Sequence, residues 1–193
     1  MNTEELNALR DRAYNTAVEH GFHDEVKPDT YYLGLVMSEA GEAINADRRG
    51  WYADTKGFEE IVATEKDFLF DENFERHIKD SVEDELSDIV IRLLDFAGLR
   101  GYDLSTDEDL YTFILIASEE FKTSGLPGLL LIFIYALYYN YRFNNLEGCV
   151  CRTIRIISGC FEKITGSDKD LWYFVEKKMQ YNELRPKLNG KKY

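Results

Sequence analysis

The 193-residue sequence predicts an all-α protein. Only three prolines and thirteen glycines punctuate it, and long stretches contain neither. Apolar residues recur at the 3.6-residue spacing of amphipathic helices. Hydrophobic residues make up 45% and aromatics 14%, ample for one packed core at this length.

Helices are predicted near residues 3–20, 29–49, 74–100, 107–123, 126–144, 147–164 and 169–181. The first, in MNTEELNALRDRAYNTAVEH, alternates charge with apolar residues and has no apolar signal core, so secretion is not expected. The second carries an apolar stripe of Tyr32, Leu35, Val36, Ala43 and Ala46. Next comes GWYADTKGFEEIVATEKDFLFDENFE, rich in both charge and aromatics, which reads as a packed excursion with short helical turns rather than a linker. The third helix has its own stripe in Ile78, Val82, Leu86, Ile89, Leu93 and Phe96. The greasiest run, LPGLLLIFIYALYY, is followed by Asn140, Tyr141 and Arg142 and falls short of the ~20 residues a membrane span needs. It reads as a buried bundle helix.

LVMSEAGEAI (35–44) aligns loosely with LIASEEFKTS (115–124), and IVIRLLDFAGLRGYDL (89–104) with TIRIISGCFEKITGSD (153–168). Residues 105–168 are therefore either a degenerate copy of the preceding helical hairpin or an unrelated hairpin of the same period. In that alignment Glu39 meets Glu119, but Glu42 meets Lys122, and Glu85 and Asp88 have no acidic counterpart.

A formal charge of −13 opposes binding to duplex DNA or RNA, or to an anionic membrane, both of which select basic faces. Small phosphorylated ligands stay in play if cations intervene. Cys149, Cys151 and Cys160 are odd in number and lack C-x-x-C spacing, so neither a disulfide framework nor a zinc site is indicated, and a reducing cytoplasm fits.

Two acidic pairs stand out. Glu39 points down the middle of the second helix's apolar stripe, with Glu42 at its edge; Glu85 borders the third stripe and Asp88 stands one turn further on the same side. Four carboxylates converging in a low-dielectric setting repel one another by several kcal/mol unless cations lie among them. Protein cations are one solution, with Arg92 and Arg48 or Arg49 at hand. A bound ion is the other, and oxygen-only ligands select Mg²⁺ or Mn²⁺ over zinc and copper. A di-iron bundle wants E-x-x-H on two helices, and His20, His23 and His77 all lack a glutamate three residues earlier.

The acidic chain ends basic, in VEKKMQYNELRPKLNGKKY. Lys178 and Asn182 extend the stripe begun by Leu171 and Val175. Lys178 is thus either a lysine snorkelling at a helix C-terminus before the stop at Pro186, or part of a triphosphate clamp with Asn182 and Arg185. Lys191 or Lys192 would close such a clamp from the tail, and Tyr181 and Tyr193 would border the ligand.

SEAGEA followed by EDELSDIVIRLL resembles the signature of the MazG-like all-α nucleoside triphosphate pyrophosphohydrolases, a group that includes dimeric dUTPases and dCTP pyrophosphatases. Lys178, Asn182 and Arg185 match that group's K-x-x-x-N-x-x-(R/K) run. The resemblance covers about residues 25–104 and 169–193. It implies a single domain with a four-helix-bundle core, an additional hairpin over 105–168 and a basic tail. It implies Glu39, Glu42, Glu85 and Asp88 as Mg²⁺ (or Mn²⁺) ligands and catalytic residues, and tail contacts to phosphate. The implied reaction cleaves a nucleoside triphosphate at the α-phosphate to the monophosphate and pyrophosphate, in a homo-oligomer (dimer or tetramer). One departure is the 42-residue separation of Glu42 from Glu85, longer than in compact members, which leaves substrate identity open. ADRRGWYAD (46–54) also resembles some members, with Arg48 or Arg49 either near substrate or in surface ion pairs. The alternative function is a non-catalytic helical nucleotide-binding or interaction protein. On the enzymatic reading, the carboxylates face the cationic tail across a gap sized for a polyphosphate.

Overall fold

A computed structural model describes residues 1–25, 27–64, 69–105 and 110–186, so Lys191, Lys192 and Tyr193 lie outside the described residues. The described residues form eight α-helices: α1 (Thr3–Glu19), α2 (Asp29–Arg48), α3 (Thr55–Thr64), α4 (Phe70–His77), α5 (Val82–Arg100), α6 (Tyr111–Arg142), α7 (Leu146–Thr165) and α8 (Leu171–Leu184).

α5 is the axis of the molecule: α1, α2, α7 and α8 all pack on it. That explains its burial on every side, with Leu86, Val90, Leu93, Leu94 and Ala97 wholly enclosed together with the polar Glu83, Asp84, Glu85 and Asp95. The first helix joins the bundle through α5. Asn2 caps it with a reciprocal Glu5 bond, and Gly98 of α5 lets the chain pass close to Tyr14, where a β-carbon would lie 2.5 Å from that of the tyrosine. α6 and α7 pair with each other and cover the bundle through α2 and α5, so a second hairpin is added to a four-helix core of α1, α2, α5 and α8.

Three features differ from the sequence reading. The predicted helix over 74–100 is two helices. α4 ends at His77, Asp80 takes a left-handed backbone (φ 62°), and Ser81 starts α5 by accepting the Asp84 N–H at 3.2 Å. Neither glycine nor proline marks this break, so the apolar period runs straight through it. The helices predicted at 107–123 and 126–144 meet without a loop in α6, where Gly125 alone leaves helical geometry (φ 65°, ψ −168°). Finally, the greasy run is covered on one side only. Leu126, Leu129, Leu130, Phe133 and Leu137 are buried, while Leu131, Ile132, Tyr135, Tyr138, Tyr139 and Phe143 are exposed, because α2 and α7 pack against the inner face alone. α6 as a whole is long and apolar enough to cross a membrane by length and composition.

The excursion between α2 and α5 is packed. Glu83 of α5 accepts the Ala53 N–H at 2.9 Å, Asp54 N–H donates to the His77 carbonyl at 2.8 Å, and Asn73 donates to the Phe58 carbonyl at 3.1 Å. Phe58 of α3 and Phe74 of α4 are fully buried within it. The three cysteines are buried and unpaired.

Candidate functional site

Periodicity alone aims Glu39 of α2 at α5, and the four bundle helices bring the acidic pairs to one place. Glu39, Glu42, Glu85 and Asp88 all line a single cavity of about 220 Å³, together with Lys178, Asn182 and Arg185 of α8 and its C-cap. Oxygens of Glu39, Glu85 and Asp88 fall within 4.8 Å of one another. Glu42 lies at the exposed edge of the cavity, outside that close group.

The protein's own cations already enter the cluster. Arg92, one turn past Asp88, donates from Nε to Glu39 Oε1 at 3.0 Å. Lys178 Nζ bridges Asp84 Oδ2 at 2.8 Å and Asp88 Oδ2 at 2.7 Å. The expected gap between tail and carboxylates is therefore closed by contact at Lys178: α8 packs directly on α5, and carboxylates spaced i, i+4 make a ready seat for one ammonium. Arg48 and Arg49 lie exposed at the end of α2 and take no part in lining the cavity.

Crowding of carboxylates has a proton cost. Burial, with Asp88 and Asp84 adding their charge, pushes the Glu85 carboxyl up to about 9. Burial raises Asp84 to about 6 against the pull of Lys178, and raises Glu39, helped by Asp88 and opposed by Arg92. For Lys178, burial alone would favour the neutral amine, but Asp84 and Asp88 outweigh it and hold the ammonium charged. Arg92 is held charged in the same way by Glu39 and Asp88.

A divalent ion suits this donor set. The ligand atoms are all carboxylate oxygens, which select hard cations such as Mg²⁺ or Mn²⁺. Glu85 Oε2 is buried and accepts no hydrogen bond, an oxygen in want of a positive partner.

Tyr181 is not part of the cavity wall. Its ring stacks on Phe74 at 4.6 Å between centroids and its hydroxyl donates to Glu75 Oε1 at 2.6 Å, so it fastens α8 to α4. The cavity includes residues that the sequence reading passed over. At one end are Lys79 and Asp80; at the other, toward α1, are Thr16, His20, Phe22 and Asp95. Asp95 is buried and accepts from His23 Nε2 at 2.6 Å, and burial raises its pKa against the pull of that histidine. Asp84 was legible: it precedes Asp88 by four residues, hence shares its side of the helix. Asp95 follows Asp88 by two turns on the same side and could be found by the same count. His20 comes from a different helix end, which no spacing predicts.

Compared with protein-family models, with curated proteins and with solved structures, the chain matches none of them.

Proposed function

We propose that this chain is a Mg²⁺-dependent nucleoside triphosphate pyrophosphohydrolase of the MazG-like kind, with Glu39, Glu42, Glu85 and Asp88 as the residues that would hold the metal. The observation that carries this is the convergence, in one cavity, of an oxygen-only cluster within 4.8 Å and the basic and amide side chains Lys178, Asn182 and Arg185. Divalent ions there would neutralise phosphate charge and fix in-line geometry for attack by water. Lys178 and Arg185 bind the β and γ phosphates, offering a point charge and a forked donor set to the pyrophosphate as it departs, and Asn182 adds a neutral hydrogen bond. Water adds at the α-phosphorus, the α–β bridging bond breaks, and the monophosphate and pyrophosphate leave. A panel of dNTPs and NTPs with Mg²⁺, the products resolved by chromatography, tests this: monophosphate and pyrophosphate in equal amounts support it, and orthophosphate as the first product refutes it.

A second reading has one observation in its favour. Arg92 on Glu39 and Lys178 on Asp88 already supply positive partners to two of the four carboxylates, as a helical protein that binds a nucleotide without turnover would need. Calorimetry that detects triphosphate binding in a sample that yields no product would select it.

Self-association belongs to the same proposal and is supported by the outer face of α6. Leu131, Ile132, Tyr135, Tyr138, Tyr139 and Phe143 are each 44–67% exposed. At ~100 Å² of exposed surface each they make an apolar patch on the order of 600 Å², at the upper end of what a monomer ordinarily shows and approaching one side of a standard interface. Tyrosine-rich composition suits a second copy of this face, whose hydroxyls keep solvent at the rim. Light scattering at micromolar concentration should give a dimer or tetramer that Tyr135→Glu reduces to monomer; a monomeric wild type, or one that partitions onto neutral vesicles, would refute it.

A further inference from the structure

The cavity holds more negative charge than its cations balance. Seven carboxylates line or adjoin it (Glu39, Glu42, Asp80, Asp84, Glu85, Asp88 and Asp95), against the ammonium and guanidinium groups of Lys79, Lys178, Arg92 and Arg185. With all of them ionised the set is three charges negative. One divalent ion leaves it negative still; two leave it one charge positive, the sign that meets a polyphosphate.

A second group of oxygens lies beside the first. Asp80, Asp84 and Glu85 each offer one within 4.8 Å of the others. The side chain of Asp84 has no exposed surface, and its two oxygens differ sharply in company. Oδ2 accepts from Lys178 Nζ at 2.8 Å and from the Asp80 N–H at 2.9 Å, whereas Oδ1 is buried with no hydrogen-bond partner. Glu85, only 4% exposed, has the same defect at Oε2. A buried carboxylate oxygen without a partner is costly, and two of them lie on adjacent residues whose carboxylates, with that of Asp80, come within 4.8 Å of one another. A cation held among the three carboxylates would supply a positive partner to this buried pair.

Building on the proposed metal centre, we infer that Asp80, Asp84 and Glu85 form a second divalent-cation site next to that of Glu39, Glu85 and Asp88, with Glu85 as the shared ligand. The donor set is again all oxygen, so the ion is of the Mg²⁺ or Mn²⁺ class. Ions held at the two sites would set positive charge on both sides of Glu85, where they would neutralise a phosphate chain.

Mn²⁺ alone, titrated into the full chain and followed by calorimetry and by electron paramagnetic resonance, tests the assignment without any turnover. The wild type should bind two Mn²⁺ ions, with a spectrum broadened by the coupling of the pair. Asp80→Ala, which alters an exposed side chain, and Asp84→Asn, which keeps the shape and leaves Lys178 its bond to Asp88, should each bind one ion and give the sharp spectrum of an isolated Mn²⁺. Glu39→Gln should also fall to one, and Glu85→Gln should weaken both ions at least tenfold. Thermal melts of each variant in chelator establish that it folds. If the wild type binds one ion that Glu39→Gln abolishes while Asp80→Ala and Asp84→Asn leave it untouched, the second site is overturned and the first stands. A wild type that binds no Mn²⁺ overturns both.

Discussion

Replacing Lys178 with methionine removes the ammonium that bridges Asp84 and Asp88 and lies 5.7 Å from the Phe74 ring centroid, while keeping an unbranched apolar side chain in its place. Asp84 is fully enclosed and Lys178 nearly so, so the carboxylates are left without their cation in a medium that solvates them poorly. Breaking a buried pair from one side in this way costs about 3–5 kcal/mol. In a chain of this length each kcal/mol moves Tm by roughly 2–4 °C, so the chelated variant should melt about 6–20 °C below wild type. Divalent ions then become the replacement counter-charge. At a hundredfold excess over Kd, binding returns about 2.7 kcal/mol, so Mg²⁺ should recover most of the loss in the variant. In the wild type Lys178 competes with the ion for Asp88, so the gain from Mg²⁺ should be smaller. The assay is a pair of thermal melts, in chelator and in saturating Mg²⁺, for each protein. An unchanged Tm in chelator, or an equal Mg²⁺ shift in the two proteins, would refute the idea that Lys178 holds a place a metal ion competes for. The same variant should bind triphosphate at least tenfold more weakly, since the ammonium that seats the phosphates is gone.

Stability should also depend on pH in a definite direction. Glu85 titrates at about 9 in the folded chain, far above the ordinary carboxylate range, so from about pH 5 to 9 the folded state holds a proton that the unfolded state has released. Metal-free stability should therefore fall as pH rises through that window, by up to about 1.4 kcal/mol per pH unit, with Asp84 adding to the slope up to about pH 6. Mg²⁺ should flatten the dependence, because the bound ion favours the deprotonated carboxylates; denaturant melts showing metal-free stability flat or rising from pH 6 to 9 would contradict this. Gly98→Ala should destabilise by about 1–3 kcal/mol, because the new methyl meets Tyr14 Cβ at 2.5 Å and the Arg10 carbonyl at 3.3 Å between α1 and α5. A Tm equal to wild type for that variant would mean that α1 does not pack on α5 as described.

The acidic centre was legible in the sequence because it breaks a periodic rule: Glu39 sits where the 3.6-residue stripe of α2 calls for an apolar side chain, and Lys178 does the same in α8. What stayed hidden depends on contacts between elements. Glu83 and Asp84 are buried because α5 is packed on all sides, a fact of position in the bundle that no single-helix wheel contains. The break at Asp80 has no glycine or proline to announce it; its local signal is Ser81 three residues before Asp84, a cap that a continuous apolar stripe masked. Tyr181 was assigned to the ligand for its type and place in the tail, but the aromatic surface of α4 claims it. The outer face of α6 misled in the opposite sense, since its apolar residues predict burial and the described residues supply no cover for them.

The most direct test of the metal-centred chemistry is pyrophosphate release from the preferred triphosphate, measured in Mg²⁺ and in excess chelator for the wild type and for Glu39→Gln. The result predicted is release in Mg²⁺ alone, with kcat/KM reduced at least about 100-fold in Glu39→Gln. Release that persists undiminished in chelator, or in Glu39→Gln, would contradict it.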